Sequence, residues 1–246
     1  MQSLGIIGGS GLTHLRALQV ERKEIVSTPY GDASAPLTFG RFDGRAVVFL
    51  PRHGAAHTIP PHRVNYRANL WALRHAGVEQ IVGMAAVGGI GARMAPGVLC
   101  VPDQLIDYTW GREHTLFETD LNSVTHIDFT NPYCEALRRS LLQAATALNI
   151  PVIDGGTYAA TQGPRLESAA EIQRLERDGC DIVGMTSMPE ASLARELGLC
   201  YASLALSVNW AAGKSDAPIT MTEIKRHLES GMTEARKILA AVAERP

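Results

Sequence analysis

Arginine, histidine and hydroxylated side chains recur in this sequence where apolar segments give way to glycine. Ser10 lies in GIIGGSGL (5–12), Arg52 and His53 follow RAVVFL (45–50), and Thr186 and Ser187 follow DIVGM (181–185). Such a set suits an anion: a guanidinium, hydroxyl donors, and backbone N–H groups that glycine lets approach closely. MAAVGGIG (84–91) adds amides that can line the same site, or else marks only a close-packed strand exit. Two other residues carry different chemistry. Glu167, in TQGPRLES (161–168), is a carboxylate beside a helix start, where the dipole alone would favour it. Asn209 stands near the end of the apolar stretch in LALSVNWAAG (204–213) and can both donate and accept hydrogen bonds.

Several chemistries fail on spacing. Reading G-x-G from Gly9 puts His14 where a dinucleotide fingerprint needs its third glycine, and no GK[ST] follows for a P-loop. Leu12 occupies the final glycine position of a nucleophile elbow. His53, His57 and His62 invite a metal, but Pro60 and Pro61 break any helix that would put two of them on one face, and no metal is expected. Ser10 could instead mark a plain tight turn, and Arg52 a surface ion pair.

These residues need strands to carry them. LGIIG (4–8), RAVVFL (45–50), QIVGMAAVGGI (80–90), GVLCVPDQLIDY (97–108), GTYAATQG (156–163), DIVGM (181–185) and CYASLALSV (200–208) read as strands, several running into polar loops. A turn is expected at Asp43-Gly44, and the 80–90 strand is expected to run into a glycine-rich loop. Helices are expected over 64–77, stopped by Gly77; over 131–149, with Asn131 as N-cap and Pro132 first; over 168–179, with a Ser168/Glu171 capping box; over 189–198, closed by Gly198; and at the C-terminal end, with a Thr220/Glu223 box. Alternation of strands and helices makes the class α/β, and ligands in such sheets bind at strand ends.

The 246 residues carry 46% hydrophobic and 20% charged side chains and a formal charge of −2, with no basic run, so nothing favours nucleic acid. The chain reads as one domain, 1–246, without linkers or repeats. No stretch approaches the roughly 18 apolar residues of a membrane helix, and MQSLGIIGGSGL lacks a signal-peptide pattern. Cys100, Cys134, Cys180 and Cys200 form no CxxC pair and read as buried thiols of a reducing compartment. A cytoplasmic protein is expected.

In order, GIIGGSGL, RHG-x-x-H, AAVGGIG, GPR-x-x-S and MTSMPE resemble the purine nucleoside phosphorylase family, most closely its methylthioadenosine branch. The resemblance runs from about Leu4 to Asn209, and more loosely through the last helix. It implies a mixed central sheet bent into a distorted barrel and flanked by helices, and a homotrimer, with a hexamer as the alternative. The implied activity transfers the pentose of a purine nucleoside to inorganic phosphate, a co-substrate, with no cofactor. By resemblance, Ser10, Arg52, His53, Ala85, Ala86 and Thr186 hold phosphate. The branch usually has Thr-Ala where this chain has Ala85-Ala86, so one hydroxyl is missing while the Ala86 N–H remains. Met185 lies beneath the ribose, and Leu166 and Ala211 belong to the substrate site. His126 resembles a histidine that reaches a neighbouring subunit's 5′ pocket.

The departures are informative. The adenine branch has aspartate at Asn209 and usually serine at Glu167. An asparagine can donate to a 6-oxo group and accept from N7–H, and a carboxylate accepts from the N1–H of hypoxanthine or guanine but opposes the bare N1 of adenine. Ala211 replaces a second aspartate of the adenine branch. Asn209 therefore becomes the catalytic group for the departing base, and Glu167 and Asn209 select 6-oxopurines. At the 5′ end, DAPITMTE offers Met221 or Thr222 and no histidine, favouring methylthio over hydroxyl. The expected reaction is phosphorolysis of methylthioinosine to hypoxanthine and 5-methylthioribose 1-phosphate. The alternatives are an inosine- or guanosine-cleaving phosphorylase, a methylthioadenosine phosphorylase, a nucleosidase using water, a nicotinamide-dependent oxidoreductase, and a non-catalytic nucleoside binder.

Overall fold

The computed structural model describes residues 3–12, 18–42, 44–119 and 122–243. In chain order it has β1 (Ser3–Gly8), β2 (Gln19–Glu24), β3 (Leu37–Phe42), β4 (Arg45–Pro51), α1 (Tyr66–His75), β5 (Val78–Gly89), β6 (Leu99–Val101) and β7 (Gln104–Asp107). There follow α2 (Glu135–Ala147), β8 (Val152–Asp154), β9 (Thr157–Ala160), α3 (Ala169–Arg177), β10 (Ile182–Gly184), α4 (Ser187–Glu196), β11 (Cys200–Trp210) and α5 (Met221–Ala243).

The strands form one mixed sheet in the order β2-β3-β4-β1-β5-β10-β9-β7, while β11 joins β5 and carries β6 and β8. Among the described residues the pairing branches at β5 and does not close, so the sheet is open rather than a finished barrel. β5 is long enough to serve three partners. Along one edge it pairs with β1 as far as Gly83, then with β10 only from Gly88. The other edge is taken by β11 from Gln80 to Gly89. Met84–Val87 are thus left without a strand on one side, and the cavity described below opens there.

Side-chain alternation divides the core. Ile6, Phe49, Val82, Met84, Leu204 and Leu206 face α2 and α5, where Leu141, Met232, Ile238 and Leu239 meet them. Ile7, Val48, Leu50, Ile81, Ala85 and Ala205 face α1 and α4. Local signals set many boundaries. Asn65 Oδ1 accepts from Ala68 N–H at the start of α1, and Gly77 (φ +79°) follows its end. Both arms of the Ser168/Glu171 box form. Thr220 Oγ1 accepts from Glu223 N–H at 3.3 Å. α4 has a non-helical Met188, so its regular turns begin at Pro189.

Other expectations need correction. The glycine-rich loop at the end of the 80–90 strand is mostly strand itself: Gly88 and Gly89 belong to β5 and pair with β10 and β11. Residues 97–108 split into β6 and β7 around Pro102. α2 starts at Glu135, not at Pro132, because Cys134 N–H is already engaged by Tyr201 C=O (2.7 Å). That contact sets Cys134 beside Cys200, and the two form a disulfide. Only Cys100 and Cys180 are free thiols, so the cysteines no longer argue for a reducing compartment. β11 continues through Asn209, with a register shift between Ser207 and Asn209. Gly44 has φ +83°, as a turn requires, while Asp43 lies outside the described residues. Among the described residues no helix is long and apolar enough to cross a membrane.

Candidate active site

A cavity of about 670 Å³ opens at the C-terminal ends of β1, β4 and β10, beside the unpaired edge of β5 and the late part of β11. Of the residues singled out in the sequence, it is lined by Ser10, Arg52, His53, Ala85, Ala86, Leu166, Glu167, Met185, Thr186, Asn209, Ala211 and Met221. Thr222 and His126 are exposed and do not line it. Thr222 follows Met221 at the start of α5, where neighbouring side chains point about 100° apart.

The anion end begins at Gly9. A Cβ there would lie 2.6 Å from Met84 O and 2.9 Å from Arg52 Nη1, so only glycine lets the loop lie this close. Arg52 is not on the surface: it is 1% exposed, with Nε and Nη2 donating to both oxygens of Glu190 and Nη1 donating to Met84 O (2.7 Å). Tyr201 OH donates to the same carboxylate at 2.9 Å. Burial, then the Glu190 charge, push the Tyr201 hydroxyl well above its usual range, so it stays a donor. Three of the five guanidinium N–H groups are thus spent inside the protein. Because Met84 O faces the unpaired edge of β5, the Ala86 N–H two residues on shares that side.

His53 Nδ1 lies 2.8 Å from Ile59 O. A carbonyl accepts, so Nδ1 carries the proton and Nε2 accepts. Burial, then the Arg52 charge, lower the imidazole to about 4, despite the help of Ile59 O. The ring is neutral near pH 7, and a protonated phosphate oxygen can donate to it. His57, set aside in the sequence because of the prolines, does meet His53: the ring centroids are 4.8 Å apart, and His57 Nε2 is 3.4 Å from Ser10 Oγ. A left-handed turn at His57 (φ +54°) brings it there. No group of three or more His, Cys, Asp or Glu that could hold a metal occurs among the described residues.

At the other end, Ser168 and Glu171 cap α3, leaving Glu167 free of that duty. Glu167 Oε1 accepts from Thr161 Oγ1 at 2.7 Å. Asn209 Nδ2 donates to Trp210 O at 2.7 Å. Met185 packs against the β9–α3 loop, since a Cβ on Gly163 would collide with its sulfur. An apolar wall of Ile219, Met221, Ile224 and Leu228 completes the cavity. Met221 was expected here, whereas the pairing of Glu190, the contacts of His57 and the part played by Ile219, Ile224 and Leu228 escaped sequence reasoning. MTSMPE contains Glu190, but nothing local indicates that its partner lies 138 residues away.

Comparison with known proteins places the chain in a family. A model of the phosphorylase superfamily matches residues 3–244. A "Probable S-methyl-5'-thioinosine phosphorylase" from Pseudomonas syringae pv. tomato is 57% identical over 242 residues, 98% of each chain. A "Probable 6-oxopurine nucleoside phosphorylase" from Dictyoglomus turgidum is 46% identical, covering 97% of this chain and 90% of that one. Methylthioadenosine phosphorylase from Schistosoma mansoni, solved with adenine, superposes with a TM-score of 0.95 at 35% identity, over 99% of this chain and 91% of that one. With its anion end, its amide and carboxylate at the other end, and a family match over nearly its whole length, the chain belongs to the phosphorylase superfamily.

Proposed function

We propose that this protein is a phosphate-dependent nucleoside phosphorylase that cleaves methylthioinosine to hypoxanthine and 5-methylthioribose 1-phosphate, a step of purine salvage. One observation carries the reading: a single cavity is lined by the anion-binding set, by Glu167 and Asn209, and by the apolar Met221 wall. The names of the relatives from Pseudomonas and Dictyoglomus support a 6-oxopurine base.

Phosphate binds against Ser10, Arg52, His53, Thr186 and the Ala86 N–H. It attacks C1′ as the bond to the purine breaks, through an oxocarbenium-like sugar held over Met185. The departing base keeps the C1′–N9 electron pair and takes a proton from solvent at N7; Asn209 accepts from that N7–H and donates to the 6-oxo group, and Glu167 accepts from N1–H. Catalysis then rests on positioning an anion beside a developing cation and stabilising the departing base, with no covalent nucleophile. The methylthio group lies against Met221, Ile219 and Leu228.

The working form is a homotrimer. Trp110 and Val124 are 72% and 73% exposed on the segment that also carries the exposed His126, which suits a subunit contact delivering His126 to a neighbour's 5′ pocket. Light scattering gives the mass, and His126→Ala should weaken methylthio binding only in the assembled form.

The reading is tested by measuring base release, with and without phosphate, from methylthioinosine, methylthioadenosine and inosine in parallel. Phosphate-dependent hypoxanthine release, fastest from methylthioinosine, is expected. Preferred adenine release would overturn the base assignment, and faster cleavage of inosine would overturn the 5′ assignment.

A further inference from the structure

Arg112 belongs to no helix or strand, yet is 8% exposed. Its guanidinium is ringed by acceptors. Nη1 donates to Met185 O and Met188 O (both 2.7 Å) and approaches Tyr66 OH (3.3 Å). Nη2 donates to Thr161 O (3.1 Å) and Gln162 O (2.8 Å), and Nε donates to Gln162 Oε1 (3.1 Å). Among the described residues no carboxylate pairs with it; carbonyl, amide and phenol oxygens alone surround the buried cation. A guanidinium offers five donors in a fixed planar fork, and here all are directed at two loops.

Those loops bear the nucleoside end of the cavity. Met185 belongs to the β10–α4 connection and Met188 to the non-helical start of α4, and Thr161 and Gln162 belong to the β9–α3 connection. Thr161 N–H also donates to Gly184 O (2.8 Å), and Thr161 Oγ1 donates to Glu167 (2.7 Å). A continuous path therefore runs from Arg112 through the Thr161 backbone and hydroxyl to the Glu167 carboxylate, and a second path runs directly to the Met185 backbone.

We propose that Arg112 is a positioning residue for nucleoside recognition: it fixes the spacing between the Met185 loop and the Thr161 loop, and through Thr161 it aims Glu167 at the base. The last clause rests on the proposed contact of Glu167 with the purine; the spacing role does not. Arg112 does not line the cavity, so its effect is indirect; it bonds no phosphate-binding side chain, and of these only Thr186 lies within the segment it holds.

The test compares Arg112→Ala, Arg112→Lys, Thr161→Val and Glu167→Gln by steady-state kinetics with both substrates varied. Misplacing a binding group by about 1 Å can cost about 100-fold. Arg112→Ala should raise the nucleoside KM by tenfold or more, raise the phosphate KM by a much smaller factor because Thr186 lies within the clamped Met185–Met188 segment, and shrink the preference for 6-oxo over 6-amino nucleosides. Millimolar guanidinium should restore part of that loss in Arg112→Ala and none in Thr161→Val. A lysine cannot span both loops, so Arg112→Lys should show the same KM split; it decides the matter if the alanine variant does not fold. Thr161→Val should reduce the base preference alone. Equal changes in both KM values, or an unchanged nucleoside KM in Arg112→Lys, would overturn the proposal. If Glu167→Gln leaves the base preference unchanged, the base contact itself is wrong, and the KM split and guanidinium rescue still judge the clamp.

Discussion

Arg52 and Glu190 form a two-pronged ion pair in which the side chains are 1% and 0% exposed. The cation expected to meet phosphate is therefore already balanced by a carboxylate within the protein. Its remaining N–H groups act as oriented donors more than as a free charge, like the hydroxyls of Ser10 and Thr186, while the neutral His53 beside it offers an acceptor.

That balance makes Glu190 a strong stability determinant. Removing one partner of a buried pair costs about 3–5 kcal/mol, because the other charge is stranded. Glu190→Gln should lower the melting temperature by about 10 °C, on the basis of roughly 2–4 °C per kcal/mol in a chain of this size. The double variant Arg52→Met/Glu190→Leu should recover much of the loss while remaining inactive. A melting temperature unchanged in Glu190→Gln would contradict the pair seen here.

His53 gives stability a pH dependence of defined sign. Its folded-state value is lowered to about 4, whereas an unfolded imidazole titrates near 6.5. As pH falls, the unfolded chain takes up the proton first. The contribution, a few kcal/mol, is complete above about pH 6.5 and is lost progressively down to about pH 4. Denaturant midpoints measured across that range should fall, and His53→Gln should flatten the part of the fall that belongs to this ring. Identical slopes in both proteins would place the titration elsewhere.

Gly9→Ala tests the close approach at the anion end. The added methyl must displace Met84 O or Arg52 Nη1. Overpacking of this kind costs about 1–3 kcal/mol. The phosphate KM should rise by about tenfold or more, with the nucleoside KM little affected. A nucleoside-only defect would show that the glycine loop lies at the other end of the bound substrates.

Asn209→Asp addresses the base. Replacing the amide N–H with a carboxylate oxygen removes a donor to the 6-oxo group and supplies an acceptor for a 6-amino group. The ratio of 6-oxo to 6-amino turnover should fall by about 10–100-fold, a part of the roughly 10⁴-fold discrimination that a matched polar site can reach. An unchanged ratio would remove Asn209 from base selection, whereas a uniform loss on both substrates would leave it as a catalytic group only.

How far the sequence could be read depended on the range of each signal. Capping boxes, positive-φ glycines and apolar strands are local, and α1, α3, the regular part of α4 and the buried strands emerged close to their true bounds. Strands β2, β3 and β8 did not: β2 is exposed along its length, and β8 has three residues. The branch at β5 was hidden because pairing partners are not encoded in the strand that receives them, so the sequence showed a strand reaching Gly88 and Gly89 but not that β10 and β11 both meet it there. At the site, residues carried by short motifs assembled as expected, whereas Glu190 and Arg112 derive their roles from partners far along the chain. Cys134 and Cys200, 66 residues apart, were missed for the same reason.

Met221, Ile224 and Leu228 of the apolar wall come from α5, the last described element, which also rests on the first loop. A Cβ on Gly11 would strike Leu228, and Arg236 donates to Gly11 O at 3.3 Å. During synthesis at roughly 5–20 residues per second, the anion end can form while the wall is still inside the ribosome. A nascent chain therefore cannot close the candidate site until α5 emerges and docks, so α5 completes it after every other described element is in place.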